Sequence, residues 1–272
     1  MSTPILDILM KLRDPLVHLP CCPTILQYDP GQIIYSPRDP AAGFYLIIRG
    51  IVKITETSPD GRRVILDIYT AEEFFGETAL LNVPTRRNQA STMQETTLLA
   101  WGVQEFHDLL LTRPGLSFAL LQTFAHRLNA SQKRLTSLAQ DSVEHRLLQL
   151  LVRLADRIGS VDTKGFTRLL PLSHLLLAQH IGTSREIITV YMNRFRDRGL
   201  LAYSRKEIVI FGDGLKRLLE KEYGEVEDPK DRIPQPGAGE ESSLRSMLAR
   251  SRAGSLLGPI LPKAARKPAT PD

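Results

Sequence analysis

The sequence predicts an α+β chain with an antiparallel β domain, a long helix and a C-terminal winged helix-turn-helix. Closely spaced β-rich runs without helical spacing fill residues 24–103. From Pro114 onward the apolar residues change to a seven-residue repeat. Between residues 172 and 211, two helical patterns separated by a glycine precede two short β-rich runs. Each period is typical of one kind of element, and their order defines the predicted fold class.

Length and composition are those of a globular protein with two domains. The chain has 272 residues, of which 42% are hydrophobic and 24% charged, and each half is long enough for its own core. No apolar run approaches the roughly 20 residues of a membrane helix, and the N-terminus lacks a secretory signal pattern. We therefore expect a cytoplasmic protein without membrane contacts. The net charge of +5 is a mild bias toward polyanions such as nucleic acid.

Turn residues divide the N-terminal part into strands. Asp29-Pro30-Gly31 and Pro59-Asp60-Gly61 are strong turn signals. Between them, Gly50 separates two runs rich in β-branched and aromatic residues, and residues 63–69 form a third such run. Strands this close in sequence predict an antiparallel barrel or sandwich.

The long helix carries a leucine heptad. Its first apolar positions are Leu121, Leu128 and Leu135, and its second set, three residues later, is Phe124, Ser131 and Leu138. Such a seam is typical of helices that pair between two chains, but an amphipathic helix lying on its own domain has the same pattern. The polar Ser131 either sets the register of the seam or faces a bound molecule.

The first helix of the helix-turn-helix has clear ends. Ser173 is a plausible N-cap, and Leu176, Leu177 and Ile181 repeat at helical spacing. Gly182 follows at once, and a glycine commonly ends a helix because it adopts positive φ without strain.

The second helix has a buried and an exposed side. Thr183 and Glu186 have the spacing of a capping box, which predicts the start of this helix. Its buried face is predicted to consist of Ile188, Tyr191, Met192 and Phe195.

The exposed side near the start of the second helix presents Arg185, Glu186 and Thr189. In a major groove an arginine pairs with guanine and a glutamate accepts from cytosine N4. These residues therefore predict DNA reading, although ordinary solvated surface residues are the alternative.

Composition predicts four segments. They are residues 1–113 with the β domain, 114–141 with the long helix, 142–224 with the winged helix-turn-helix, and a disordered tail at 225–272. The adjacent Cys21 and Cys22 are either two small residues of an N-terminal turn or a thiol redox sensor.

Four motifs together resemble the cyclic-AMP receptor protein and fumarate–nitrate regulator (CRP/FNR) family of bacterial transcription factors. They are Gly31-Gln-Ile-Ile-Tyr35, Gly43-Phe-Tyr-Leu-Ile-Ile-Arg-Gly50, Phe74-Phe-Gly-Glu77 and Gly182-Thr-Ser-Arg-Glu-Ile187. The resemblance covers residues 24–212 and implies a cyclic-nucleotide-binding-like β-roll before the dimerisation helix. It also implies a homodimer on a palindromic double-stranded DNA operator, with RNA polymerase as a protein partner.

The resemblance assigns the DNA contacts. Arg185 and Glu186 match the family's base-reading pair, whereas Val190 stands where the family commonly has a second arginine. A valine can contact a thymine methyl group but cannot pair with guanine. The remaining expected DNA-binding residues are Thr183, Ser184, Thr189 and Asn193.

The resemblance also assigns an effector site that departs from the family pattern. Cyclic-nucleotide binders have Gly-Glu followed by Arg, Ser or Thr, and Ala. This chain has Gly76 and Glu77, and then Arg86-Arg87-Asn88-Gln89. Arg87 lies at about the distance of the family's arginine, but Asn88 and Gln89 stand where Ser or Thr is expected. Ser131 matches a position that faces the base. The expectation is either a site for cyclic AMP or cyclic GMP, or an altered pocket without a ligand.

Other classes of function lack their motifs. The chain has no nucleophile elbow, HExxH, P-loop or metal-ligand spacing, and two cysteines are too few for an iron–sulfur cluster. We therefore expect neither catalysis nor a metal. The alternative to a transcription regulator is a cyclic-nucleotide-binding regulatory protein that acts through a protein partner.

Overall fold

The computed structural model describes residues 23–81, 83–163 and 165–224. The predictions for Cys21, Cys22 and residues 225–272 lie outside these residues. The N-terminal strands are β1 (Thr24–Tyr28), β2 (Ile33–Tyr35), β3 (Gly43–Arg49), β4 (Val52–Thr57), β5 (Arg63–Tyr69), β6 (Phe74–Phe75), β7 (Gln89–Thr92) and β8 (Thr96–Gly102). A 3₁₀ helix, Glu77–Leu81, follows β6.

These strands form two four-stranded sheets with the orders β1-β8-β3-β6 and β2-β7-β4-β5. Every pairing within them is antiparallel, as the closely spaced strands predict. Between the sheets lies a buried core that includes Tyr35, Tyr45, Ile47, Tyr69 and Phe75. The predicted antiparallel β domain is confirmed, with two packed sheets, and we call this unit the roll.

A glycine allows the chain to turn inside the roll. Gly76 follows β6 with a φ of +87°. A Cβ at this position would lie 2.9 Å from the carbonyl oxygen of Gly43 and 2.9 Å from Cδ2 of Tyr45. Any other residue would therefore be strained by both backbone conformation and contact.

Two helices follow the roll, α1 (Val103–Thr112) and α2 (Pro114–Gln140). The first turns of α2 pack on the roll through the buried Leu116, Ala119 and Leu120. Leu121, Leu128 and Leu135, the first set of the heptad, are between 61% and 67% exposed, and Leu138 of the second set is 44% exposed. Of the two alternatives left open by the sequence, packing on the protein's own domain holds for the start of α2 and includes Phe124 of the heptad. The row of Leu121, Leu128 and Leu135 is exposed in the single chain.

The C-terminal unit is built from helices and a small sheet. Its elements are α3 (Val143–Ile158), β9 (Ser160–Val161), β10 (Thr167–Leu169), α4 (His174–Ile181), α5 (Arg185–Asp197), β11 (Leu201–Tyr203), β12 (Ile208–Ile210) and α6 (Gly214–Tyr223). The strand order is β11-β12-β10-β9. Ile188, Met192 and Phe195 are fully buried, and Tyr191 is half-buried against them, which confirms the predicted inner face of α5.

The roll and the C-terminal unit are in contact. Ile65 and Ile68 of β5 belong to the same hydrophobic cluster as Leu177 and Ile181 of α4. This cluster continues the core of the helix-turn-helix onto the outer face of the roll. The helix α4 therefore packs directly on the roll.

Two arginines add polar contacts at this interface. Arg157 of α3 lies 2.5 Å from the buried carboxylate of Glu73, and Arg134 of α2 lies 2.8 Å from Nε2 of His180. Burial, reinforced by the nearby arginines, holds the pKa of His180 well below its usual value. This imidazole is consequently neutral in the folded protein and accepts a hydrogen bond from Arg134.

Within the described part of the chain, no helix is both long enough and apolar enough to span a membrane.

Candidate functional site

A tight turn joins the two helices of the helix-turn-helix. Gly182 ends α4 with a φ of +71°, and the N–H groups of Gly182 and Thr183 donate to the carbonyl of Ala178 at 3.0 and 3.1 Å. Ser184, with its hydroxyl 3.4 Å from the N–H of Ile187, is the N-cap of α5. The prediction that Thr183 caps this helix is wrong by one residue, because Thr183 still belongs to the end of α4.

The outward side of α5 near its start carries charged and apolar groups. Arg185 and Glu186 are exposed, as are Ile187 at 41% and Val190 at 59%. The Glu186 backbone N–H, followed by the Ser184 hydroxyl, lowers the pKa of the Glu186 carboxyl. An ionised acceptor and an arginine therefore stand side by side where a helix can enter a major groove.

Two other predicted DNA-binding residues are tied to neighbouring elements. The hydroxyl of Thr189 donates to the carbonyl of Arg185 at 2.9 Å and lies 2.8 Å from Nδ1 of His174. Asn193 accepts a hydrogen bond from the Tyr203 hydroxyl at 2.6 Å. Both Thr189 and Asn193 are half-buried, unlike the exposed Arg185.

A basic turn joins β11 and β12. The hydroxyl of Ser204 accepts hydrogen bonds from the N–H groups of Lys206 and Glu207 at 3.1 and 3.3 Å. This arrangement leaves Arg205 and Lys206 exposed at the tip of the hairpin. Basic residues at such a position are suited to phosphate contacts, which orient a protein on DNA without reading its sequence.

In the roll, the two neighbouring arginines of the predicted effector site point in opposite directions. Arg86 is 2% exposed and donates from Nη1 to the carbonyl of Gly76 at 2.9 Å and from Nη2 to that of Gly43. The Arg87 side chain is 85% exposed and lies 3.8 Å from Glu56. Of the two arginines, only Arg86 therefore enters the roll.

Aromatic side chains occupy the interior around Arg86. Its guanidinium lies 4.5 Å from the Tyr35 ring centre, and Tyr45 and Phe75 are stacked with centres 4.9 Å apart. Burial raises the pKa of Tyr35, partly opposed by Arg86, and the charge of Glu77 raises it further. Gly76, Glu77 and Arg86 are thus brought together, with aromatic rings filling the space between the sheets.

The predicted α2 residue of the effector site is not the one that reaches the roll. Ser131 is exposed on α2. Arg127, one turn earlier, donates to the carbonyl of Phe74 and lies 4.3 Å from the centre of the Tyr69 ring. Sequence reasoning missed Arg127, although an arginine four residues before Ser131 shares its side of the helix.

Buried polar groups without a partner in the described part of the chain remain in the roll, and they include both an acceptor and donors. Asn88 is buried in place of the expected serine or threonine, and its Oδ1 has no hydrogen-bond partner among the described residues. Both terminal nitrogens of Arg86 are already bonded to carbonyl oxygens. Nε of Arg86 and Nη1 of Arg127 are buried donors without a hydrogen-bond partner in the residues that the structure describes. A cyclic phosphate would therefore have to bind these two nitrogens, or displace the terminal nitrogens of Arg86 from their carbonyl oxygens.

Comparison with known families divides the chain in the same way as the fold. Residues 25–113 match the cyclic nucleotide-binding domain, and residues 145–217 match the Crp-like helix-turn-helix domain. A CRP-like cAMP-activated global transcriptional regulator of Mycobacterium tuberculosis is 28% identical over 185 residues, covering 68% of this chain and 83% of that protein. A global nitrogen regulator of Synechococcus elongatus is 28% identical over 189 residues, covering 69% and 85%.

Solved structures share the architecture at lower identity. The c-di-GMP responsive global regulator CLP of Xanthomonas campestris superposes with a TM-score of 0.64 at 22% identity, covering 78% of this chain and all of that chain. FixK2 of Bradyrhizobium japonicum has a TM-score of 0.63 at 19% identity, with coverages of 74% and 97%. At these identities the likeness shows a common fold.

A roll joined by a long helix to a winged helix-turn-helix with an exposed reading side defines a DNA-binding transcription regulator. The two domain matches, in this order and with these relatives, identify the kind of regulator. The chain belongs to the CRP/FNR family of transcription regulators.

Proposed function

We propose that this protein regulates transcription as a dimer by reading a two-fold-related DNA site with α5. The observation that carries the proposal is the exposed pair Arg185 and Glu186 at the capped start of α5, within a Crp-like helix-turn-helix. Arg185 pairs with a guanine and Glu186 accepts from a cytosine amino group. The Crp-like domain supports this function over a regulatory protein that acts only through a protein partner.

Contacts with phosphate orient the protein on its site. Arg205 and Lys206 at the hairpin tip contact the backbone beside the groove. The hydroxyls of Thr183 and Ser184 lie in the turn just before α5, close to the helix N-terminus, where phosphates are well bound. RNA polymerase is the protein partner that we propose for a regulator of this family.

Pairing of α2 with the same helix of a second copy supplies the two-fold symmetry. Leu121, Leu128 and Leu135 form one exposed apolar row in the single chain. A row of large apolar side chains with a seven-residue repeat is suited to a two-stranded seam. Ser131 lies in this seam, where it faces the partner helix.

We propose that the protein binds DNA without a cyclic nucleotide in the roll. Arg86 bridges the carbonyl groups of Gly76 and Gly43, and Tyr35, Tyr45 and Tyr69 fill the interior between the two sheets. The terminal nitrogens of Arg86 thus donate to two carbonyl oxygens of the chain and not to a bound anion. We infer that the effector pocket is altered and that DNA binding does not depend on cyclic AMP or cyclic GMP.

Selection from a random DNA pool tests both parts of the proposal. The full-length protein is incubated with the pool alone, with cyclic AMP and with cyclic GMP, and bound DNA is sequenced. We expect the same inverted repeat, with a G·C pair in each half-site, in all three experiments. Absence of an enriched sequence contradicts the function, and enrichment that requires a nucleotide contradicts the altered pocket.

Substitution of Arg185 tests the assignment of the reading residue. Arg185→Ala should weaken binding to the selected site by about 1–3 kcal/mol and relax preference at one base pair. Arg198→Ala is the matched control, since Arg198 is an exposed arginine that pairs with Glu222 at 3.2 Å at the other end of α5. Unchanged discrimination in Arg185→Ala would remove Arg185 from the reading set.

A further inference from the structure

Two exposed apolar residues lie on α5 among the groups proposed to face DNA. Ile187 is 41% exposed and Val190 is 59% exposed. They are three residues apart and are therefore neighbours on the helix surface. On the opposite side of α5, the completely buried Ile188, Met192 and Phe195 pack into the core of the C-terminal unit. Ile187 and Val190 thus add an apolar strip beside Arg185 and Glu186 that the core does not require.

The polar residues that could read bases farther along α5 are held by other elements. The Thr189 hydroxyl gives its single hydrogen to the carbonyl of Arg185 at 2.9 Å. His174 Nδ1, at 2.8 Å, then acts as the donor to the Thr189 oxygen. Burial, and after it the charge of Arg185, lowers the pKa of His174, so this ring is neutral at neutral pH.

The wing completes the same network. The His174 ring meets the Tyr203 ring edge-on, with centres 4.9 Å apart. The Tyr203 hydroxyl donates to the side-chain oxygen of Asn193 at 2.6 Å. One connected set of contacts therefore joins α4, α5 and β11. It engages the hydroxyl of Thr189 and the side-chain oxygen of Asn193 in contacts within the protein.

Resting on the proposed DNA binding, we propose that Ile187 and Val190 determine specificity by contacting the 5-methyl groups of two thymines in each half-site. Apolar contact with this methyl group is one of the few ways in which a side chain without polar atoms distinguishes a base pair in the major groove. Each methyl group that is buried against an aliphatic side chain contributes about fourfold to affinity. Specificity beyond the Arg185 and Glu186 pair is then read by shape and apolar contact.

Replacement of thymine by deoxyuridine tests this directly, because it removes the methyl group and leaves the hydrogen-bonding edge unchanged. A duplex selected by the full-length protein from a random pool is resynthesised with deoxyuridine at one thymine of each half-site at a time. Dissociation constants are measured by fluorescence anisotropy. The unsubstituted protein should lose about fourfold in affinity per methyl group at two positions of the half-site.

Two variants assign the positions. Val190→Ala should abolish the deoxyuridine penalty at one position and Ile187→Ala at the other, while discrimination at the G·C pair remains. Both residues are exposed on a helix, where alanine is well tolerated. Leu111→Ala on α1, with Leu111 69% exposed, is the matched control and should keep both penalties.

The outcomes separate this inference from the proposed function. If the protein binds its selected duplex in preference to a scrambled one but deoxyuridine has no effect at any thymine, the apolar reading is overturned and DNA binding stands. A selected half-site without thymine would likewise overturn the apolar reading and leave DNA binding in place. If no duplex is preferred over scrambled DNA, both proposals fail.

Discussion

Truncation of one seam leucine should weaken the proposed dimer strongly. Complete burial of a leucine side chain contributes about 1.5–3 kcal/mol. Leu128 is 61% exposed in the single chain, so about 1–2 kcal/mol remains to be gained when a partner covers it. This value is doubled for the dimer, because the interface buries two Leu128 side chains, one from each protomer. Leu128→Ala should therefore cost about 2–4 kcal/mol, a rise of at least about thirtyfold in the dissociation constant of the dimer.

Sedimentation equilibrium over a range of concentrations measures this constant. Leu111→Ala removes an equally exposed leucine, at 69%, from α1 and should leave the constant unchanged. Circular dichroism of both variants should match that of the unsubstituted protein, since neither leucine belongs to the core of the single chain. A dissociation constant for Leu128→Ala within about threefold of the original value would refute α2 pairing through this seam.

Three further predictions concern stability, each measured by urea unfolding. Because burial lowers the pKa of His180 in the folded state, the unfolded chain takes up a proton below about pH 6.5 that the folded protein does not. The contribution of His180 to stability should thus be complete above this pH. It should fall as the pH drops, by up to about tenfold in the folding equilibrium per pH unit. Parallel pH profiles of stability for wild type and His180→Gln would contradict this. Gly182→Ala should cost about 1 kcal/mol because an alanine is strained at a φ of +71°; no loss would mean that the turn relaxes. Arg157→Met leaves the buried Glu73 carboxylate without its arginine and should cost about 3 kcal/mol, part of which the added Glu73→Gln recovers; equal stability of the single and double variants would argue against the pair.

Local patterns predicted the elements of this fold well where one physical rule dominated. The buried face of α5 follows from helical spacing, and Ile188, Met192 and Phe195 are indeed completely buried. Gly182 ends α4 with positive φ, as expected for a glycine between two helices. The predicted start of α5 was wrong by one residue. Thr183 and Ser184 are both good N-caps, and only the hydrogen bonds at the end of α4 and at Ser184 distinguish them.

The effector region was harder to predict because it depends on which way each side chain faces. Spacing alone favoured Arg87, but the backbone directs Arg86 into the roll and leaves Arg87 exposed. Arg127 was not identified, since nothing in the α2 pattern distinguishes an arginine that reaches Phe74 and Tyr69 from one in solvent.

The sequence by itself determined the order of the elements, the heptad of α2 and the presence of Arg185 and Glu186 at the start of the second helix. These features depend on neighbours a few residues away, whose spacing is visible in the chain. Only the tertiary structure decided that Arg86 closes the roll through Gly43 and that His174 and Tyr203 hold Thr189 and Asn193. Most of these partners lie 10 to 43 residues apart along the chain, so their contacts exist only after folding brings separate elements together.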